Sequence, residues 1–242
     1  MKILIPTAKE LNKKAQEVNE GLLGEKTKNI IDEFADKKPE ELAKIYKIKE
    51  EKAQEEYVRW QNLANHSAKS YRALELFNGL MYRNISRDDF NAEGKDYIKK
   101  HVYITTALYG VINSYEAIHE HRLDFLQNVK IKDSSLKNFW RENYDRSVEN
   151  DEIIISLLSS EFEEVFSKII RDKFIKITFM EEKNGDLKTH STISKKARGK
   201  FLSEIIKRKI SDIRELETIK FDDFEYKSEL STENNLVFVA KR

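Results

Sequence analysis

Apolar positions along this chain change period several times, and each change marks an element. Ile3, Leu4 and Ile5 form a short continuous apolar run ended by Pro6, which predicts a buried strand. Residues 7–25 are polar and weakly patterned, which reads as loop with a fragment of helix. Helical spacing returns from Glu25 to Ala35 and again from Pro39 to about Tyr46. In the second of these, Pro39 suits a first turn, and Glu40 and Glu41 complement the helix dipole. Ala53, Tyr57 and Trp60 recur at i, i+4 and i+7, predicting a third helix over about Glu50–Ala64. Ala73–Phe77 reads as a strand ending at Asn78-Gly79, Asn91–Lys100 as a helix, and Val102–Leu108 as a strand ending at Tyr109-Gly110.

Further along, Leu136–Tyr144 is helical, and Glu152–Leu158 is a nearly continuous apolar run that predicts a fully buried strand. Ser159-Ser160 would cap a helix from Glu161 to about Lys168. Phe174–Glu181 and Leu187–Ser191 flank Lys183-Asn184-Gly185-Asp186, a strong hairpin turn signal. Phe201, Leu202, Ile205, Ile206 and Ile210 share one helical stripe, with Ser194 or Thr192 as its N-cap, and Leu236–Ala240 is a closing strand. Strands and helices interleave irregularly around one clear antiparallel hairpin. The pattern predicts a single α+β domain over 1–242, a mixed β-sheet core wrapped by helices, and not a regular doubly wound fold.

Charge changes the picture at the basic helix. Ser194-Lys195-Lys196-Ala197-Arg198-Gly199-Lys200 sets three cations where the helix dipole already makes the N-terminus positive. Gly199 adds a cost of about 1 kcal/mol relative to Ala in a helix interior. A bound phosphate or other anion would reconcile these choices; a solvated basic turn is the plainer alternative. From Thr192 to Lys209 there are seven Lys/Arg and one Glu, whereas Ile210–Asn235 holds eight acids and three bases. The formal net charge of +1 therefore hides a bipolar surface, and no global basic field announces a nucleic-acid partner.

The chain has 242 residues, 39% hydrophobic and 36% charged, enough for a sizeable core beneath a charged surface. It contains no cysteine, which excludes disulfides, thiol catalysis and cysteine-ligated metal sites. With no export signal or bilayer-length apolar segment in view, the expectation is a cytoplasmic protein without a membrane partner. No phosphate-binding loop or dinucleotide fingerprint is present. His119-Glu120-His121 would place two imidazoles on one side of a strand, but no third metal ligand is apparent. Ser159-Ser160-Glu161 could host a nucleophile, yet no G-x-S-x-G elbow precedes it, so capping is the simpler role. No metal and no cofactor are expected.

Ile45-Tyr46-Lys47-Ile48-Lys49-Glu50-Glu51-Lys52-Ala53 has the layout of a helix-hairpin-helix-like element within about residues 39–64. Lys47 and Lys49 stand where that motif places glycines, so ammonium groups would replace backbone N–H contacts to phosphate. An ordinary helical hairpin fits the same pattern.

Together these blocks resemble the bacterial peroxide stress protein YaaA family. Lys2-Ile3-Leu4-Ile5-Pro6-Thr7-Ala8-Lys9 is similar to the family's opening strand and Pro-Ala-Lys turn, with Thr inserted. Phe77-Asn78-Gly79-Leu80-Met81-Tyr82 resembles its Phe-x-Gly-x-x-Tyr block, and Leu108-Tyr109-Gly110-Val111-Ile112 and Arg122-Leu123 resemble two further segments. Phe139-Trp140, Leu157–Phe162 and Lys195-Lys196-Ala197-Arg198-Gly199 complete the set in order. Asn113-Ser114-Tyr115-Glu116 departs from the usual Arg-Pro-Leu-Asp and removes a cation.

The resemblance implies an α+β domain with a positively charged cleft that binds double-stranded DNA and limits peroxide damage. On this reading Lys195, Lys196 and Arg198 contact phosphates, Lys9 and Arg122 line the same cleft, and Lys47, Lys49 and Lys52 add a contact from the hairpin. Sequence preference is expected to be low, because phosphate partners dominate and no base readers are evident. Catalysis is not expected, and a monomer is. The alternative is an enzyme that clamps a phosphorylated or anionic small molecule with the same cations. A protein-interaction or iron-handling module using Asp222–Glu233 is a third reading.

Overall fold

Alternation decides which way the first strand faces. In β1 (Lys2–Pro6) the side chains of Ile3, Leu4 and Ile5 are all fully buried. Ile3 and Ile5 enter one hydrophobic cluster while Leu4 enters the other, so both faces of the strand are covered. The computed structural model describes residues 1–19, 21 and 23–241. Within 7–24 it shows a short strand, β2 (Glu17–Val18), and no helix among the described residues; Glu20 and Leu22 of that stretch lie outside them.

The three helices that follow begin and end where their periodicity placed them: α1 (Glu25–Ala35), α2 (Pro39–Tyr46) and α3 (Glu50–Ala64). Glu41 folds back to accept the Lys38 backbone N–H at 2.9 Å, fixing the start of α2. Phe34 stacks on Trp60 at 4.4 Å between ring centroids, which locks α1 against α3. α2 and α3 form a helical hairpin whose corner is Lys47, in the left-handed region at φ 53°. Ile48 N–H then donates to the Ala43 carbonyl at 3.1 Å. Ala53 is fully buried, with Ile45 and Ile48 half-buried against the same cluster.

The expected strand at Ala73–Phe77 is instead β3 (Ser70–Arg72) followed by one helical turn, α4 (Ala73–Leu76). A short apolar run buried on all sides cannot distinguish the two by periodicity. Next come α5 (Ala92–His101), capped by the Asn91 side chain, and β4 (Val102–Thr106). The chain reverses earlier than expected, because Thr106 Oγ1 accepts the Tyr109 N–H at 2.6 Å, and β5 (Gly110–Asn113) returns antiparallel. β6 (Ala117–His119) pairs with β3, and β7 (Lys130–Ile131) with β8 (Ser134–Ser135).

Beyond α6 (Leu136–Val148) and β9 (Ile154–Ser156), the single helix expected at 161–168 is two short ones. These are α7 (Ser160–Glu163) and α8 (Lys168–Arg171), broken where Asp145 Oδ1 accepts the Ser167 N–H at 2.9 Å. β10 (Phe174–Lys183) and β11 (Asp186–Lys188) form the expected hairpin, with Asn184 at φ 55°. The chain closes with α9 (Ser191–Arg208), α10 (Ile213–Leu216), β12 (Phe224–Tyr226) and β13 (Asn235–Lys241).

One eight-stranded mixed sheet organises these parts in the order β12-β13-β10-β9-β1-β4-β5, with β11 beside β10. Its five middle strands, β13 to β4, are all parallel, and β12, β5 and β11 are antiparallel additions. α5 and α9 pack on one face, while α1, α3 and α6 pack on the other, which makes a single α+β domain. Among the described residues no helix is long and apolar enough to cross a membrane.

Candidate phosphate-binding cleft

Strand order creates the site. The chain leaves β1 for its neighbour β4 on one side, and leaves β9 for its neighbour β10 on the other. The two adjacent strands thus diverge in connection, and a crevice opens beyond their carboxyl ends, the place where open parallel sheets hold ligands. A pocket of about 520 Å³ lies there. Thr7–Glu10 after β1 and Ser159, Glu161 and Phe162 after β9 form part of its wall. Thr192, Lys195 and Arg198, spaced by three on one face of α9, form another.

The third wall is the turn Gly79–Arg83, held close to both neighbours. A Cβ at Gly79 would meet Ala8, and a Cβ at Gly199 would collide with the Met81 carbonyl and with Asn84. Gly199 therefore lets α9 lie directly on this turn. That corrects the reading of Gly199 as a concession to a bound anion. α9 also begins earlier than expected, with His190 as N-cap, so Lys195, Lys196 and Arg198 occupy its second turn rather than its first. Ser194 does not cap the helix; its hydroxyl is buried inside it without a hydrogen-bond partner.

Of the eight expected phosphate contacts, the pocket brings together four: Lys9, Arg122, Lys195 and Arg198. Lys196 is exposed but does not line it, and neither do Lys47, Lys49 or Lys52, which stand exposed on the α2–α3 hairpin. Lys9 is committed within the chain, its Nζ 2.5 Å from Asp124 Oδ2. No carboxylate among the described residues pairs with Arg122, Lys195 or Arg198. Arg198 is the most enclosed of the three. Burial draws its pKa below the ordinary arginine value against the opposing pull of Glu163, and its Nε is buried with no hydrogen-bond partner. A desolvated cation of this kind is a strong attractor for an anion.

Carboxylates that the sequence reading did not assign to the site share the pocket. Asp124 Oδ1 accepts the Leu126 N–H at 2.9 Å, and Glu161 accepts the Phe125 N–H at 3.0 Å. Burial, and then the Asp124 charge, hold the Glu161 carboxyl above the usual carboxylate range. Glu10 pairs with Arg83. Five cations thus face three carboxylates, leaving the pocket at a net +2. The signal available in sequence was position: Thr7–Glu10 and Ser159–Glu161 directly follow the two most continuous apolar runs.

Other charged regions are committed elsewhere. A larger groove of about 1050 Å³, bordered by Lys14, Arg72, Arg87, Lys95 and Lys99, also carries four carboxylates and none of the expected contacts. Its Arg87 is held by the carbonyls of Leu74 and Phe77. In the acidic stretch, Asp222 pairs with Lys200 at 2.7 Å and Glu225 with Lys220 at 2.9 Å. Among the described residues no group of three or more His, Asp or Glu is placed to hold a metal. His119 Nδ1 lies 3.2 Å from Ser70 Oγ, and His121 is buried between the rings of Phe77 and Tyr109.

A family model described as peroxide stress protein YaaA matches residues 1–230. The chain belongs to that family. A UPF0246 protein of Streptococcus gordonii is 50% identical over 241 residues, covering 100% of this chain and 99% of the relative. UPF0246 proteins of Streptococcus thermophilus and Streptococcus uberis are 46% and 47% identical, each covering 98% or more of both chains. Family membership thus extends over the strands and helices that build the cleft.

Proposed function

We propose that this member of the peroxide stress family binds nucleic-acid phosphate, in the first place double-stranded DNA, with low sequence preference. The observation that carries this reading is the convergence of Arg122, Lys195 and Arg198, none paired with a carboxylate, on one crevice at the carboxyl ends of parallel strands. Lys47, Lys49 and Lys52 supply exposed cations on the hairpin for a second backbone contact. Phosphate partners of this kind fix position without reading bases. A mobility-shift titration with unrelated duplexes tests the proposal. Lys195→Ala with Arg198→Gln should weaken all duplexes alike and flatten the plot of log affinity against log salt by about 0.9 per lost contact. An unchanged slope in a folded variant would put the DNA elsewhere.

A second reading has its own observation. Asp124 and Glu161 sit among the cations, and a purely anionic backbone has no use for carboxylates at that place. They favour an enzyme that acts on a phosphorylated or anionic small molecule, with the cations as clamp and a carboxyl of raised pKa available for proton transfer.

A further inference from the structure

The pocket beyond β1 and β9 offers two kinds of chemistry in one enclosure. Lys195 and Arg198, from α9, offer cations with no carboxylate partner. Glu161 offers acceptor oxygens, and it is tied to Asp124, whose own carboxylate is held by Lys9 and the Leu126 N–H, because the backbone N–H of Phe125 donates to Glu161 at 3.0 Å. A phosphate group satisfies the first set and is repelled by the second. Carboxylates are acceptors, so what satisfies them is a hydroxyl or an N–H. The occupant must therefore carry a phosphate and hydrogen-bond donors within one compact body. At about 520 Å³ the enclosure falls in the size range of small-molecule sites. A duplex could reach it only with a backbone phosphate at the mouth.

We propose that this pocket holds a single phosphorylated nucleoside unit, with its phosphate on Lys195 and Arg198 and its sugar hydroxyl or base N–H groups on Glu161. A nucleoside phosphate has this combination: an anionic end and donors on sugar and base. Its position matches the general rule that open parallel sheets bind such ligands where the strand connections diverge. The proposal rests on the reading that the cleft's cations take phosphate. The unit could be a free mononucleotide or a nucleotide at an unpaired end of a strand, and the chemistry of recognition is the same.

Calorimetric titration of the full chain at low salt tests this with 2′-deoxynucleoside 5′-monophosphates, the matching nucleosides and inorganic phosphate. The monophosphates should bind at least ten-fold tighter than either part alone. Arg198→Gln should lower monophosphate affinity towards that of the nucleoside and leave the nucleoside itself unmoved. Glu161→Ala should weaken monophosphate and nucleoside by a similar factor and should not weaken inorganic phosphate. Because Arg198 is largely enclosed, the exposed Lys195→Ala provides a second variant, expected to lower monophosphate affinity at least three-fold without moving the nucleoside. Displacement of the monophosphate by an oligonucleotide with an unpaired end, and not by a blunt duplex, identifies the unit as part of a strand; displacement by neither identifies a free nucleotide. Inorganic phosphate binding as tightly as the monophosphates would overturn the proposal. Duplex binding without any monophosphate binding would also overturn it and leave the DNA reading standing. A chain that binds neither refutes both.

Discussion

Lys9 and Asp124 meet across the cleft, with Nζ 2.5 Å from Oδ2, the aspartate side chain 5% exposed and the lysine side chain 48% exposed. The pair ties the turn after β1 to the segment that carries Arg122. Lys9 thus acts within the chain, and its charge is not free for a phosphate in the way that Lys195's is.

Removing the ammonium alone leaves a buried carboxylate that keeps only its bond from Leu126 N–H. Lys9→Met should therefore destabilise the fold by about 1–3 kcal/mol in urea unfolding. Lys9→Met combined with Asp124→Asn should recover most of that loss, since the two residues form one coupled unit. Purely additive losses would show that the pair contributes nothing.

Gly199→Ala makes opposite local and tertiary demands. Helix propensity alone would reward alanine by about 1 kcal/mol. The added Cβ, however, would strike the Met81 carbonyl and Asn84, and carbonyl backbone cannot swing aside as a side-chain tip can. A net destabilisation of about 1–3 kcal/mol is expected, as for other overpacked interiors. Thermal unfolding that shows a gain would mean that α9 does not lie so close to this turn.

His121 gives the stability a pH dependence. Burial, with the nearby Arg59 charge adding to it, draws its pKa down from 6.5 to about 3, so the folded protein keeps the imidazole neutral. Between about pH 3 and 6.5 the unfolded chain binds a proton that the folded chain refuses. Stability from this residue is complete above about pH 6.5 and declines as the pH falls, by about 1.4 kcal/mol per unit. Glu56 and Glu161 act in the opposite sense, because burial raises their carboxyl pKa and the folded state holds their protons longer. Comparing urea midpoints of wild type and His121→Phe from pH 4 to 7 isolates the imidazole: the variant should lose the acid-side decline that this residue causes.

On the hairpin, charge and backbone can be separated at Lys47. Its φ of 53° is a conformation that glycine adopts at less cost, so Lys47→Gly should stabilise the fold by about 0.5–1 kcal/mol. Lys47→Glu with Lys49→Glu, at exposed positions, should change stability by less than about 0.5 kcal/mol and yet sharply reduce duplex affinity. Undiminished duplex affinity in the double glutamate variant would make the segment a structural hairpin only.

The sequence by itself determined what local forces decide. Apolar spacing, with Pro39 and the acidic first turn of α2, set the approximate bounds of α1, α2 and α3, because these act within a turn or two of the backbone. The β10–β11 turn was readable for the same reason, since Asn184 and Gly185 tolerate its backbone conformation. The apolar run at Ile3–Ile5 announced a strand covered on both faces, and the family blocks marked Lys9, Arg122, Lys195 and Arg198. Only the tertiary structure decided that β1 lies between β4 and β9, because parallel pairing joins segments far apart in sequence and leaves no local trace. That arrangement placed the cleft. It also decided which charges remain free: Lys9 found Asp124 and Lys200 found Asp222, while Lys195 and Arg198 found no carboxylate. Whether a side chain is paired depends on what folding brings beside it, and the residue type alone cannot supply that.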